Sequence, residues 1–166
     1  MPIRDYPFIQ MLPGGKPSLR TKTSGPKLWV RLENPNARKA LLCLAIVDTG
    51  ASHCAAPADW ASALGIDLKS VPAQRTHTAG GENVYHPHRV RISVLGIKPD
   101  GTADEAAILQ TSHDVPIHFT PRLTVLLLGQ TGFLEKFVLT IKYLEHKFSL
   151  YIPTDSHHKK TKKHKR

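Results

Sequence analysis

Apolar positions along this chain fall into short runs and alternations far more often than into helical spacing. "KLWVRL" (27–32) predicts a strand, "ENPNARK" a turn, and the seven-residue run "LLCLAIV" (41–47) a strand covered on both faces. "PADWASALG" (57–65) predicts a short helix, with an early proline, apolar Trp60, Ala61 and Leu64 at helical spacing, and Gly65 as its stop. "RTHTAGGENVYHPHRVRISVLG" reads as a β-hairpin with "AGGE" as its turn, since Val84, Val90, Ile92 and Val94 alternate with polar residues. Beyond the polar "KPDGTADE" come "AAILQ", "VPIHFTPRL" and a second strongly apolar strand, "LTVLLLG" (123–129). "QTGFLEKF" supplies one or two helical turns, and "VLTIKYLEHKFSLYI" closes the chain as two strands about a polar turn near Glu145. The expectation is a mostly β domain with two short helices and no internal repeat.

The ends differ from this middle. Residues 1–26 hold Pro2, Pro7, Pro13, Pro17 and Pro26 with Gly14, Gly15 and Gly25, a density that breaks long helices and central strands and reads as an N-terminal arm. The domain is expected over 27–153 and a basic tail over 154–166. The formal net charge is +10, but the last ten residues, "HHKKTKKHKR", carry six cations and no acid, which leaves +4 on residues 1–156. Such a tail buries nothing; it either solubilises the chain or touches nucleic acid or another polyanion through 157–166, without sequence preference. With 166 residues and mean hydropathy of -0.26, one soluble domain is expected and no membrane span. "MPIRDYPFIQ" has no apolar stretch behind a basic one, so the cytoplasm is the expected location. Cys43 and Cys54 are too few for a disulfide framework and read as small apolar fillers.

The chemistry concentrates at "AIVDTGAS" (45–52), where a single acid, Asp48, follows the apolar run. Asp with Gly also makes an ordinary turn. The run before it, however, is expected to end inside the protein, and a carboxylate placed there beside a hydroxyl and a glycine is costly unless compensated, which points to a site. Ten histidines invite a metal reading, and His86 and His88 share one side of a strand, but no third ligand accompanies them, so no metal and no cofactor is expected. "GQTG" lacks the Lys and hydroxyl of a phosphate loop. Ser52 beside His53 is no nucleophile and base pair by adjacency.

Taken with "LLLGQTGFL" some eighty residues later, "AIVDTGAS" resembles the retropepsin-like aspartic proteases, which place a D-T-G-A loop after one apolar strand and an apolar-apolar-Gly triplet, here Leu127, Leu128 and Gly129, after another. The resemblance covers about residues 27 to 152, and its closing hairpin is more similar to cellular and bacterial members than to viral ones. It implies a closed β-barrel of the acid-protease type, an obligate homodimer, and an endopeptidase whose polypeptide substrate is cut by water. Two carboxylates sharing one proton are needed. This chain has one D-T-G, and its other Asp-Gly, Asp100-Gly101, lies in a polar turn, so a second copy has to supply the partner.

On this resemblance Asp48, Thr49 and Gly50 are the catalytic triplet. Thr49 turns its hydroxyl to the partner's backbone or is simply a β-branched strand end. Gly50 lets an N–H approach the carboxylate. Ala51 and Ser52 contact substrate or cap the loop. Ala79, Gly80 and Gly81 form a flap over the substrate or a plain hairpin turn. Leu128 and Gly129 support the active loop from below, and Trp60 belongs to the core. The other class of function is a non-catalytic binding or regulatory module that keeps the fold and binds a polyanion through its tail; such a module has no reason to retain Asp48.

Overall fold

The computed structural model describes residues 3–19, 25–78 and 81–153. Six strands close a barrel: β4 (Lys27–Asn34), β5 (Lys39–Val47), β10 (Leu126–Leu128), β6 (Cys54–Pro57), β9 (Ala103–Thr120) and β8 (Gly81–Ile97), which pairs back onto β4. The β4 pattern is a strict alternation, with Leu28, Val30 and Leu32 fully buried, as a strand with one face on the core requires. β5 is different from its sequence expectation. Cys43, Ala45 and Val47 point to the core, but Leu42 is 44% exposed and Leu44 and Ile46 are half-buried, so the run is covered well on one face only. A run of apolar residues does not by itself say how many faces are covered.

Two thiols sit in this interior. Burial pushes Cys43 up to about 12 and Cys54 up to about 11, which makes both inert apolar fillers.

The first residues correct the sequence reading. Strand β1 (Ile3–Pro7), read as part of an arm, pairs antiparallel with β12 (Lys147–Tyr151), which pairs with β11 (Val138–Lys142). Ile3, Tyr6, Phe8 and Ile9 are buried in the common core, with Tyr6 and Phe8 packed on Phe148 at ring distances of 5.4 and 6.2 Å. The Tyr6 hydroxyl donates to Leu95 O at 3.2 Å and accepts from Trp29 N–H at 3.1 Å, and burial raises its pKa. Pro7 closes β1 without removing it from the core, because β1 is an edge strand where a missing N–H costs little. Two further short strands, β2 (Gln10–Met11) and β3 (Pro17–Ser18), pair with each other. The 154–166 tail lies outside the described residues.

The hairpin at 75–96 is present as β7 (Gln74–Thr78) against the first part of β8, with Thr78 opposite Gly81. Its continuation is longer than the pattern predicts: β9 is one strand of 18 residues, including "AAILQ" and "VPIH". Irregular register against β8 and the exposed His113 and Asp114, the latter at φ 53°, interrupt the alternation that identifies a strand in sequence. The helix expected over 57–65 shrinks to α1 (Trp60–Ala63), because Cys54–Pro57 is held as a strand on β9 and Ala58 N–H donates to Thr120 O. Trp60 packs half-buried against the core. "QTGFLEKF" contributes one 3₁₀ turn, Leu134–Lys136, and the closing hairpin turns through Tyr143–Glu145 with His146 left-handed at φ 51°. Among the described residues no helix is long and apolar enough to cross a membrane.

Candidate active site

The D-T-G loop leaves the barrel where β5 and β10 run side by side in parallel, with Val47 opposite Leu128. β10 also pairs with β6 through Leu127 and Ala55, so it sits between the strand that enters the loop and the strand that leaves it. Asp48 N–H donates to Leu128 O at 3.1 Å, and Asp48 O accepts from Ala51 N–H at 3.3 Å. The Asp48 carboxylate is fixed by its own turn: Oδ1 accepts from Gly50 N–H at 2.9 Å. A Cβ on residue 50 would lie 3.3 Å from that oxygen, tighter than ordinary contact, so glycine keeps the N–H approach open.

The loop is then tied down residue by residue. Gln130 N–H donates to Ala51 O and Thr131 N–H to Ser52 O, each at 2.9 Å, and the Gln130 side-chain amide donates to Thr49 O at 2.7 Å. Gly129 is where the two segments come closest. A Cβ there would stand 2.8 Å from Ala51 O and closer still to the carbonyl of His53, so no other residue fits without moving the loop. Leu128 is fully buried beneath it.

In the single chain Asp48 is half-buried, and Thr49 and Gly50 are exposed. The carboxylate is therefore not enclosed by its own barrel, contrary to the expectation from the apolar run; β5 ends at the barrel rim, and Asp48 is its first residue beyond Val47. Asp100 stands elsewhere, in the turn at the opposite end of β8 from Gly81. It accepts from Thr102 Oγ1 at 2.7 Å and Thr102 N–H at 2.9 Å, bonds that hold its carboxyl below the usual carboxylate range.

Of the hairpin residues, Ala79 and Gly80 lie outside the described residues. Gly81 adopts φ 96°, a left-handed conformation that favours glycine. The hairpin base is anchored by Thr120 Oγ1 donating to Asn83 Oδ1 at 2.8 Å and by the Tyr85 hydroxyl donating to Gln74 Oε1 at 2.7 Å. Between hairpin and loop lies a cleft of about 440 Å³, with Gly50, Ala51 and Ser52 on one wall and Thr76, His77 and Tyr85 on the other. His53 and His118 complete it. Ala51 and Ser52 thus reach the cleft together with residues that sequence reasoning missed. Gln130, His53, His118 and Tyr85 come from four separate segments of the chain, and only the fold brings them together at the loop. Among the described residues no three His, Cys, Asp or Glu side chains form a metal-holding group.

A closed β-barrel that delivers one D-T-G loop to the mouth of a cleft, with a hairpin lining its other wall, is the architecture of an aspartic-type peptidase. Residues 41–131, more than half of the chain, match the aspartyl protease family, and the chain belongs to that family. Among solved structures it is similar to a retropepsin-like aspartic protease from Rickettsia conorii, at 24% identity and a TM-score of 0.48, over 73% of this chain and 87% of that one. No curated protein matches the sequence.

Proposed function

We propose that this protein is an endopeptidase whose active unit is a homodimer, with Asp48 of each copy facing the other across a two-fold axis. The observation that carries this reading is a single D-T-G carboxylate, held by Gly50 N–H, at an exposed rim of the barrel. One carboxylate cannot act as acid and base at once, and Asp100, at the far end of β8, is no partner for it. An isologous contact supplies the second group from the same gene.

In the dimer the two Asp48 carboxylates share one proton. The ionised one takes a proton from water, which attacks the peptide carbonyl, while the protonated one donates to the carbonyl oxygen; collapse of the tetrahedral intermediate returns a proton to the leaving amine. Gly50 N–H orients each carboxylate. Thr49 ties its loop to the other copy's backbone, Ala51 and Ser52 contact the extended substrate, and Ala79 to Gly81 cover it. Leu128 and Gly129 hold the loop from below, helped by Gln130. The peptidase unit includes β1, since the N-terminal strand shares its core.

Sedimentation at micromolar concentration should show two chains per particle, and dilution below the dissociation constant should remove activity in step with the loss of dimer. A monomer with full peptidase activity overturns the shared dyad.

A further inference from the structure

The cleft beside the D-T-G loop has an unusual wall. His118 of β9 is sandwiched between two rings: His53 stacks on one side at a centroid distance of 4.5 Å and 24° between planes, and Tyr85 on the other at 3.9 Å and 21°. His77 of β7 stands across the same cleft. Both faces of the His118 ring are thereby covered, so what it offers to a ligand is its edge, where an imidazole carries its N–H donor. A wall of ring edges does not favour stacking of an apolar side chain; it favours an acceptor.

The charge balance points the same way. Among the described residues that line the cleft none is acidic, while three are histidines. Arg75 and Glu82 on the hairpin pair with each other at 3.0 Å and are spoken for. Asp48 reaches the cleft through its carboxylate, which accepts from the lining residue Gly50, and Glu82, opposite His77 on the hairpin, is the acid paired with Arg75. Burial, followed by the neighbouring His53, lowers His118 to about 4, so near pH 5.5 its ring is neutral and offers an N–H donor at its edge. An ionised carboxylate at that edge would accept from the N–H in a charge-assisted bond, and no acid lining the cleft repels it.

Resting on the peptidase reading of this cleft, we infer that the His53, His118 and Tyr85 stack, with His77 opposite, forms a subsite for an acidic side chain of the substrate, a glutamate or aspartate near the scissile bond.

The test uses peptide pairs identical except for Glu or Gln, scanned through the positions flanking a central apolar pair, at about pH 5.5 where the glutamate is ionised. At one position the Glu peptide should be cut about tenfold more efficiently in kcat/KM, the worth of one charge-assisted hydrogen bond. In a His53→Phe, His77→Phe, His118→Phe variant, which keeps the ring stack and removes its imidazole donors, the Glu-over-Gln ratio should fall to about one. Binding of the same pairs to Asp48→Asn, read by calorimetry, separates the two readings. A wild type that cuts no peptide, with the Glu preference in binding intact, removes the peptidase reading and keeps the acidic subsite. Peptides cut or bound without any Glu preference at any position overturn the subsite and leave the peptidase in place.

Discussion

Asp48→Asn should give a folded, dimeric protein with peptidase activity reduced by at least about 10³-fold, the scale that general acid and base catalysis contributes. Asn has nearly the shape of Asp, and its Oδ1 can still accept from Gly50 N–H at the 2.9 Å seen here, so the turn loses little. Because Asp48 is only half-buried in its own chain, the change in stability should stay within about 1 kcal/mol. What disappears is basicity: neither copy can take a proton from water. Thr49→Ser, which keeps a hydroxyl, should retain most activity. In the wild type the pH profile of kcat/KM should be bell-shaped, with both limbs belonging to the coupled pair and neither to one residue. A library of unfolded protein or peptides, assayed beside thermal melts, checks all of this. Undiminished cleavage by Asp48→Asn would remove the aspartic mechanism.

The position of Asp48 is legible in sequence because its two signals are local: an apolar run and a D-T-G. The same holds for the 27–32 strand and for the closing hairpin, whose alternation survives in the observed Phe148 and Leu150 facing the core. Other parts are not legible, for physical reasons that differ from place to place. The N-terminal stretch is rich in proline, yet Ile3, Tyr6, Phe8 and Ile9 find an edge of the β11–β12 hairpin and bury against it; proline density measures what a segment cannot pair, not whether its apolar side chains have somewhere to go. The long β9 hides because bulges against β8 shift which residues face inward, so period two is lost while the ladder continues. The histidine wall is invisible for another reason: His53, His77 and His118 are far apart in sequence and meet only once the barrel has closed.

Gly129→Ala should be the most damaging alanine substitution among the described glycines, costing about 3 kcal/mol or more, at the upper end of what overpacking usually costs. The backbone angle is not the cause, since Gly129 is absent from the left-handed positions. The cause is space. An added Cβ would be 2.8 Å from Ala51 O and nearer still to His53 O, and both are backbone atoms that no rotamer change can move. The 51–53 segment would have to retreat, but Gln130 N–H and Thr131 N–H, directly after the glycine, hold Ala51 O and Ser52 O at 2.9 Å. Retreat therefore breaks the ties that fix the loop carrying Asp48, so activity should fall further than the loss of folded protein explains. In a domain of this size the melting temperature should drop by about 6–12 °C. Gly25→Ala, where a Cβ meets nothing within 4 Å and φ is ordinary, serves as the control and should change stability by no more than about 0.5 kcal/mol. If Gly129→Ala melts and cleaves like the wild type, the loop is not braced against β10 in the way the geometry requires, and the support assigned to Gly129 falls with it.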